Sequence, residues 1–160
     1  MSKTKIKNIK QLKAVINRLR KKGEKTAFTN GCFDILHPGH ILYLEDAKKR
    51  ADVLIVALNT DSSVKQIKDS SRPIMKLRDR QRLVAALESV DYVTSFSETT
   101  PERLISQLKP DFVIKGGDWK VKDIVGRKVA ASYGGKAVSV RYRKGYSSSN
   151  IIQKIAHRFG

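Results

Sequence analysis

The chain has 160 residues, with 33 Lys and Arg against 15 Asp and Glu and a formal net charge of +18. That length suits a domain with a real core, and no apolar run reaches the ~18 residues that a membrane span needs. The one Cys, Cys32, rules out an internal disulfide and fits a reducing, cytoplasmic setting; its plainest reading is a small buried hydrophobe beside a loop.

So large a positive charge invites a nucleic-acid partner, but its distribution argues against one. Met1 to Lys25 holds ten basic residues and one Glu, Thr26 to Asp118 holds thirteen of each sign, and Trp119 to Gly160 holds ten basic residues and one Asp. The body of the chain is therefore neutral. Its aromatic residues are scattered rather than interleaved with the basic ones, as a nucleic-acid groove requires. The lysine-rich start has no apolar core behind it, so it does not read as a secretory signal.

In chain order, Ile9, Leu12, Val15, Ile16 and Leu19 recur at helical spacing between Lys and Arg. They predict a basic amphipathic helix within residues 1–24, ending near Gly23, ahead of a single domain over 25–160. A strand is expected over Lys25 to Thr29 and a helix from Pro38 to Arg50. Asp52 to Leu58 is nearly continuous in apolar residues, as a strand buried on both faces demands. Asn59-Thr60-Asp61 then suits the cap of a short helix.

Lys68 to Lys76 has no periodicity and contains Arg72-Pro73, so a loop is expected. Leu77 to Ser89 reads as a helix and Asp91 to Ser95 as a strand. Thr100-Pro101-Glu102 reads as a helix start with proline in its first position. A strand over Asp111 to Lys115, a helix over Lys122 to Ser132, a strand over Lys136 to Arg141 and a helix over Ser147 to Arg158 complete the chain. This alternation implies an α/β fold: a Rossmann-like five-stranded parallel sheet with helices on both faces. In such sheets ligands bind beyond the carboxyl ends of the strands.

The residues at those ends carry chemistry. Asn30-Gly31-Cys32-Phe33-Asp34 leads from a strand into a helix start with His37 and His40 on its first turn. Backbone N–H groups and the helix dipole favour an anion there, and two imidazoles three residues apart can donate to one phosphate chain. A zinc site would need further ligands, and His157 is the only other His. Lys115-Gly116-Gly117-Asp118-Trp119 lets backbone approach a ligand closely, with Asp118 suited to a ribose hydroxyl or to a metal and Trp119 to a base or to the core. Gly145-Tyr146-Ser147-Ser148-Ser149-Asn150 puts hydroxyls at a second helix start behind Arg141, Arg143 and Lys144. Arg80 lies on the helix leading to Glu88-Ser89-Val90-Asp91.

Gly31, Phe33, Asp34, His37, Gly39 and His40 meet every fixed position of G-x-F-D-x-x-H-x-G-H, and the stretch resembles the signature of the nucleotidyltransferase superfamily. Phe28 to His37, Ser71-Arg72-Pro73, Ala86 to Asp91, Thr100-Pro101, Lys115 to Asp118 and Ser148 to Ile152 resemble, within it, the bacterial heptose 1-phosphate adenylyltransferases. The likeness covers nearly all of Ala27 to Ile155. Those proteins are often fused behind a sugar kinase, for which 160 residues leave no room, so the stand-alone form is the expectation.

The resemblance implies AMP transfer from ATP to a heptose 1-phosphate, giving ADP-heptose and pyrophosphate for lipopolysaccharide synthesis. It implies that His40 stabilises the transition state, that His37 contacts phosphate, and that Arg80 assists catalysis. Asn30, Gly31, Cys32, Phe33 and Asp34 would cradle the nucleotide, and Ser147, Ser148 and Ser149 would hold its β- and γ-phosphates. Lys115, Gly117, Asp118 and Trp119 would line the nucleoside side, and Asn59, Asp61 and Arg72 the acceptor side. Mg²⁺ is expected on the nucleotide phosphates, with no metal ligand from the protein. The expected partners are ATP, a sugar 1-phosphate and a second copy in a homodimer, with no nucleic acid.

One stretch departs from the pattern. Related cytidylyltransferases carry Arg-Thr-Glu-Gly where this chain has Tyr142-Arg143-Lys144-Gly145. Gly116-Gly117-Asp118-Trp119 also resembles cytidylyltransferases acting on glycerol phosphate or another alcohol phosphate, and that alternative stands open.

Overall fold

The computed structural model describes residues 2–117, 120–141 and 145–160. Five strands, β1 (Thr26–Gly31), β2 (Val53–Asn59), β3 (Tyr92–Phe96), β4 (Phe112–Gly116) and β5 (Lys136–Val140), form one parallel sheet in the order β3-β2-β1-β4-β5. The expected five-stranded Rossmann-like sheet is therefore present.

Pleating gives each strand two faces, and both are covered. In β2 every residue from Val53 to Asn59 is buried. Val53, Ile55 and Ala57 join Phe28, Phe96 and Val113 on one face, under α2 (Ile9–Lys21), α6 (Glu102–Leu108) and α7 (Arg127–Ser132). Leu54, Val56 and Leu58 join Ala27, Val93 and Ile114 on the other, under α3 (Pro38–Lys48) and α5 (Leu77–Ala86). The basic helix α2 belongs to the first core: Leu12, Ile16 and Leu19 are buried while its lysines face outward. A short turn of helix, α1 (Ser2–Lys5), was not expected. The residues after it pair Ile6 beside Val93, so the chain start flanks the edge strand β3.

Four strands, β1 to β4, begin one residue later than expected, and for three of them the reason is the same. Asp52, Asp91 and Asp111 stand just ahead of β2, β3 and β4 and accept backbone N–H groups from a neighbouring strand. Asp52 accepts from Lys25 N at 2.7 Å, Asp91 from Leu54 N at 2.7 Å and Asp111 from Thr26 N at 2.9 Å. These carboxylates tie the amino ends of the sheet and leave its carboxyl ends to the loops.

Other boundaries shift too. β1 runs on through Asn30 and Gly31, because its pairing with β2 continues to Gly31 opposite Leu58. Helix α5 stops at Ala86 rather than Ser89, as the ammonium of Lys5 captures the carbonyls of Leu87 at 3.1 Å and Val90 at 2.6 Å. Pro101 takes the N-cap of α6, one place before the expected position. The helix expected over Lys122 to Ser132 is split into a 3₁₀ turn at Val121–Asp123 and α7. Gly126 between them has φ +89°, and a Cβ there would lie 2.4 Å from Ile105 Cδ1. Thr60 caps α4 (Asp61–Ile67), accepting from Ser63 N. The last helix, α8 (Ser148–Phe159), has no fully buried residue.

Candidate active site

Strands β2 and β4 flank β1, and their crossovers leave in opposite directions, so the switch point lies between β1 and β4. The ladder between those two strands holds two register pairs, Ala27 with Phe112 and Phe28 with Val113. Beyond Phe28 they part. The crevice so opened is a cleft of about 230 Å³ lined by Asn30, Gly31, Cys32, Phe33, Gly39, His40, Tyr43, Lys115 and Gly116. Six of those nine residues were candidates from the sequence. Gly39 and Gly116 belong to the two motifs that the sequence singled out, and Tyr43 was not anticipated.

Pro38 opens α3, as its fixed φ and missing N–H suit a first helical position, and His37 occupies the N-cap. The rings of His37 and His40 stack with centroids 3.8 Å apart and planes 18° apart, and the Phe33 ring lies 5.1 Å from His40, tilted 50° to it. The Nδ1 atoms of both histidines are buried without a hydrogen-bond partner. Burial lowers the pKa of His37, while burial and the neighbouring ring push His40 down to about 4. Both imidazoles are thus neutral near pH 7. Buried polar atoms lacking a partner mark a place where a ligand is expected to supply one.

Glycines let these parts close up. A Cβ at Gly39 would lie 2.8 Å from Tyr146 Cβ and 3.1 Å from His37 Nδ1, so a side chain there would push the histidine pair apart. A Cβ at Gly31 would meet the Phe33 ring at 2.9 Å. Phe33 itself holds φ +48°, a costly conformation for a bulky residue, and turns its ring into the cleft wall.

Lys115 reaches across the opening, with Nζ donating to Asn30 O at 3.3 Å and Oδ1 at 3.2 Å. Burial lowers its pKa. Burial likewise raises that of the Cys32 thiol, against the pull of nearby cations, so Cys32 stays protonated as a wall residue. Gly117 has φ +121°, and its carbonyl accepts from Ser139 Oγ at 3.0 Å. At the second helix start, Ser147 caps α8 by accepting from Asn150 N. Ser148 Oγ donates to Ile35 O at 2.9 Å, which joins α8 to the histidine loop, and Ser149 is exposed. Asp118, Trp119, Arg143 and Lys144 lie outside the described residues.

Five residues expected at the site are engaged in contacts within the protein. Arg80 is fully buried: Nε donates to Met75 O at 3.0 Å, one terminal nitrogen to Cys32 O at 2.5 Å, and the other to Asn59 O at 2.9 Å and Asp61 Oδ1 at 2.7 Å. It is a clamp on the carboxyl ends of β1 and β2, because the loops there turn their carbonyls inward. Asp34 is also internal, accepting from Ile74 N, Met75 N and Arg72 Nε. Burial alone would raise its pKa, but the Met75 and Ile74 N–H groups and Arg72 outweigh that and hold the carboxyl ionised. Arg72 is buried against Asp34 at 2.6 Å, and Asn59 is buried with Nδ2 on Ser63 Oγ at 2.9 Å. Asp61 is partly exposed but held by Arg80.

Comparison with known proteins identifies the family and the fold. A family model described as cytidylyltransferase-like matches residues 28–154. The chain is 50% identical over 145 residues to the bifunctional protein HldE of Histophilus somni, covering 91% of this chain and 30% of that protein. It is 45% identical over 159 residues to HldE of Geobacter metallireducens, covering 99% of this chain and 32% of that one. The chain thus spans about a third of these curated relatives.

Among solved structures, the lipopolysaccharide core biosynthesis protein of Thermoplasma volcanium superposes with a TM-score of 0.64 at 30% identity, covering 78% of this chain and 100% of that one. The pantoate-beta-alanine ligase of Francisella tularensis superposes with a TM-score of 0.68 at 21% identity, covering 96% and 76%, a likeness of fold alone.

Proposed function

Since this chain belongs to the cytidylyltransferase-like family and is a nucleotidyltransferase, we propose that it transfers AMP from ATP to a heptose 1-phosphate. The products are ADP-heptose and pyrophosphate. The observation that carries the reading is the stacked pair His37 and His40 at the start of α3, each with an unpartnered buried ring nitrogen beside the switch-point cleft. The choice of acceptor is supported by the motif resemblance and by the likeness to a lipopolysaccharide core biosynthesis protein.

In this reading a phosphate oxygen of the sugar attacks the α-phosphorus. The new O–P bond forms as the bond to the bridging oxygen breaks, and the electron pair leaves on pyrophosphate. The nucleophile is already largely ionised near neutral pH, since a phosphate ester loses its second proton near pH 6, so no strong base is required. The protein must position the two phosphates in line and stabilise charge around the α-phosphorus.

His40 donates to the α-phosphate oxygens and His37 to the neighbouring phosphate. The arriving anion favours the protonated imidazoles and so raises both pKa values from their low resting position. Asn30 to Phe33 wall the nucleoside, and the N–H groups and hydroxyls at the start of α8 receive the terminal phosphates. Arg80 and Asp34 hold these loops without touching substrate.

Among the described residues, no three His, Cys, Asp or Glu side chains gather where they would hold a metal ion. The Mg²⁺ of this proposal is carried by the triphosphate, where it would neutralise the leaving pyrophosphate. No helix among the described residues is long and apolar enough to cross a membrane.

The test is pyrophosphate release across a matrix of nucleoside triphosphates and phosphorylated acceptors. ATP with a heptose 1-phosphate is expected to give the highest kcat/KM. Turnover confined to CTP with glycerol phosphate or another alcohol phosphate would replace the proposal with the cytidylyltransferase reading.

A further inference from the structure

Where the ladder between β1 and β4 ends, a side chain takes over. Tyr43, on the second turn of α3, is buried, and its hydroxyl lies between the two parting strands. It bonds Thr29 Oγ1 on β1 and Ile114 O on β4, the latter at 3.2 Å. A carbonyl only accepts, so the phenol donates its one proton to Ile114 and receives the Thr29 hydroxyl proton. Thr29 and Ile114 are each one residue beyond the last register pair, Phe28 with Val113. The tyrosine therefore continues the strand pairing where the backbones are too far apart to do so themselves.

Its ring is wedged as firmly as its tip. A Cβ at Gly116 would lie 2.6 Å from Tyr43 Cδ2, so the strand end packs directly on the ring face and only glycine fits. The hydroxyl and the ring thus fix β4 at two successive places, Ile114 and Gly116. Both Tyr43 and Gly116 line the cleft.

We propose that Tyr43 is a positioning residue that sets the width of the nucleotide crevice by tying β1 to β4 where their hydrogen-bond ladder stops. This rests on the nucleotidyltransfer reading of the cleft. A nucleoside wedged between Asn30 to Phe33 on one side and Lys115 to Gly117 on the other meets two walls, each at the end of a different strand. Without a tie those walls would breathe independently, and part of the binding free energy would go into ordering them. Tyr43 belongs to the same helix as His37 and His40, so it also locks the histidine turn to both strands.

The test compares Tyr43→Phe, which keeps the ring and deletes the hydroxyl, with Thr29→Val and Thr29→Ser. Amide hydrogen exchange reads the tie directly. In Tyr43→Phe, amides at 29–31 and 114–117 are expected to exchange faster while those of β2 keep their protection. Steady-state kinetics read its use: KM for the nucleotide is expected to rise about fivefold to tenfold, a part of what the two lost buried hydrogen bonds are worth, with kcat changed far less.

Thr29→Val is expected to reproduce the effect, and Thr29→Ser to recover most of it. Thr29→Val also provides the same test should Tyr43→Phe fold poorly. Unchanged exchange at the strand ends would overturn the tie, and faster exchange with an unchanged KM would overturn its role in nucleotide binding. The two failures read apart. A wild type that binds no nucleoside triphosphate removes the functional reading. A wild type that binds, with a Tyr43→Phe variant that binds equally well, removes this inference alone.

Discussion

His40 joins two roles that pull against each other. Its ring is stacked on His37 and walled by Phe33, which holds it neutral, while the proposed chemistry needs it to donate where charge develops. Replacing it with Ala is expected to lower kcat on the order of a hundredfold or more while changing the affinity for ATP far less. Single-turnover kinetics beside equilibrium binding measure the two separately, and near-normal turnover would remove His40 from the mechanism. The same burial sets a pH dependence of stability. An unfolded chain protonates its histidines near pH 6.5, whereas folded His40 holds out to about 4 and folded His37 is also displaced downward. Across that window the unfolded state binds more protons, so stability is full above about pH 6.5 and falls as the pH drops toward about 4. Urea midpoints measured over the range should show this decline, and His40→Gln should flatten it. Parallel slopes for the two proteins would show that the histidine does not cause it.

At the scale of elements, the functional edge is assembled by loops that depend on buried anchors. Arg80 gathers carbonyls from the end of β1, the end of β2 and the loop before α5, and Asp34 fixes that same loop through Ile74 and Met75. Arg80→Met leaves those buried carbonyls without donors and is expected to cost about 3 kcal/mol, with Arg80→Lys recovering part. A thermal or urea unfolding series checks this, and a variant of normal stability with impaired chemistry would return Arg80 to a catalytic role. The sequence made the elements legible because their signals are local: the apolar run of β2, the helical spacing in α2, Pro38 between the two histidines. It also made the histidine motif legible, because six fixed residues lie within ten positions. What it hid depends on distant partners. Asp52, Asp91 and Asp111 read as strand starts until their acceptor role toward a neighbouring strand is visible. Arg80 reads as a surface or catalytic arginine until Cys32, 48 positions away, closes over it. Tyr43 looks like one more helical residue until Ile114, 71 positions on, meets its hydroxyl.

Over the whole molecule, the +18 charge collects at the two ends of the chain, and the structure gives those ends different work. The N-terminal segment is part of the scaffold. Helix α2 buries Leu12, Ile16 and Leu19, and Lys5 holds the Leu87 and Val90 carbonyls at the end of α5. Lys7, Lys10 and Lys13 lie outside the cleft, so changing them together to Gln is expected to leave kcat and KM for ATP unchanged. Lys5→Gln is expected to lower stability by about 1–2 kcal/mol, through two lost charge-assisted hydrogen bonds. The C-terminal excess precedes the start of α8, where Ser147 caps the helix and Ser148 ties it to the histidine loop. Arg141 is exposed there, and Arg143 and Lys144 follow it in sequence. Exposed cations near a helix N-terminus attract a polyphosphate at long range, and salt screens that attraction over about 10 Å at 0.1 M ionic strength. Neutralising Arg141, Arg143 and Lys144 together is therefore expected to raise KM for ATP, and to raise it more at low salt than at high. KM measured for both sets across a salt series decides the matter. If the lysine set raises KM as much as the arginine set, with the same salt dependence, the charge acts as a diffuse field of the whole protein and not as a guide to the α8 cradle.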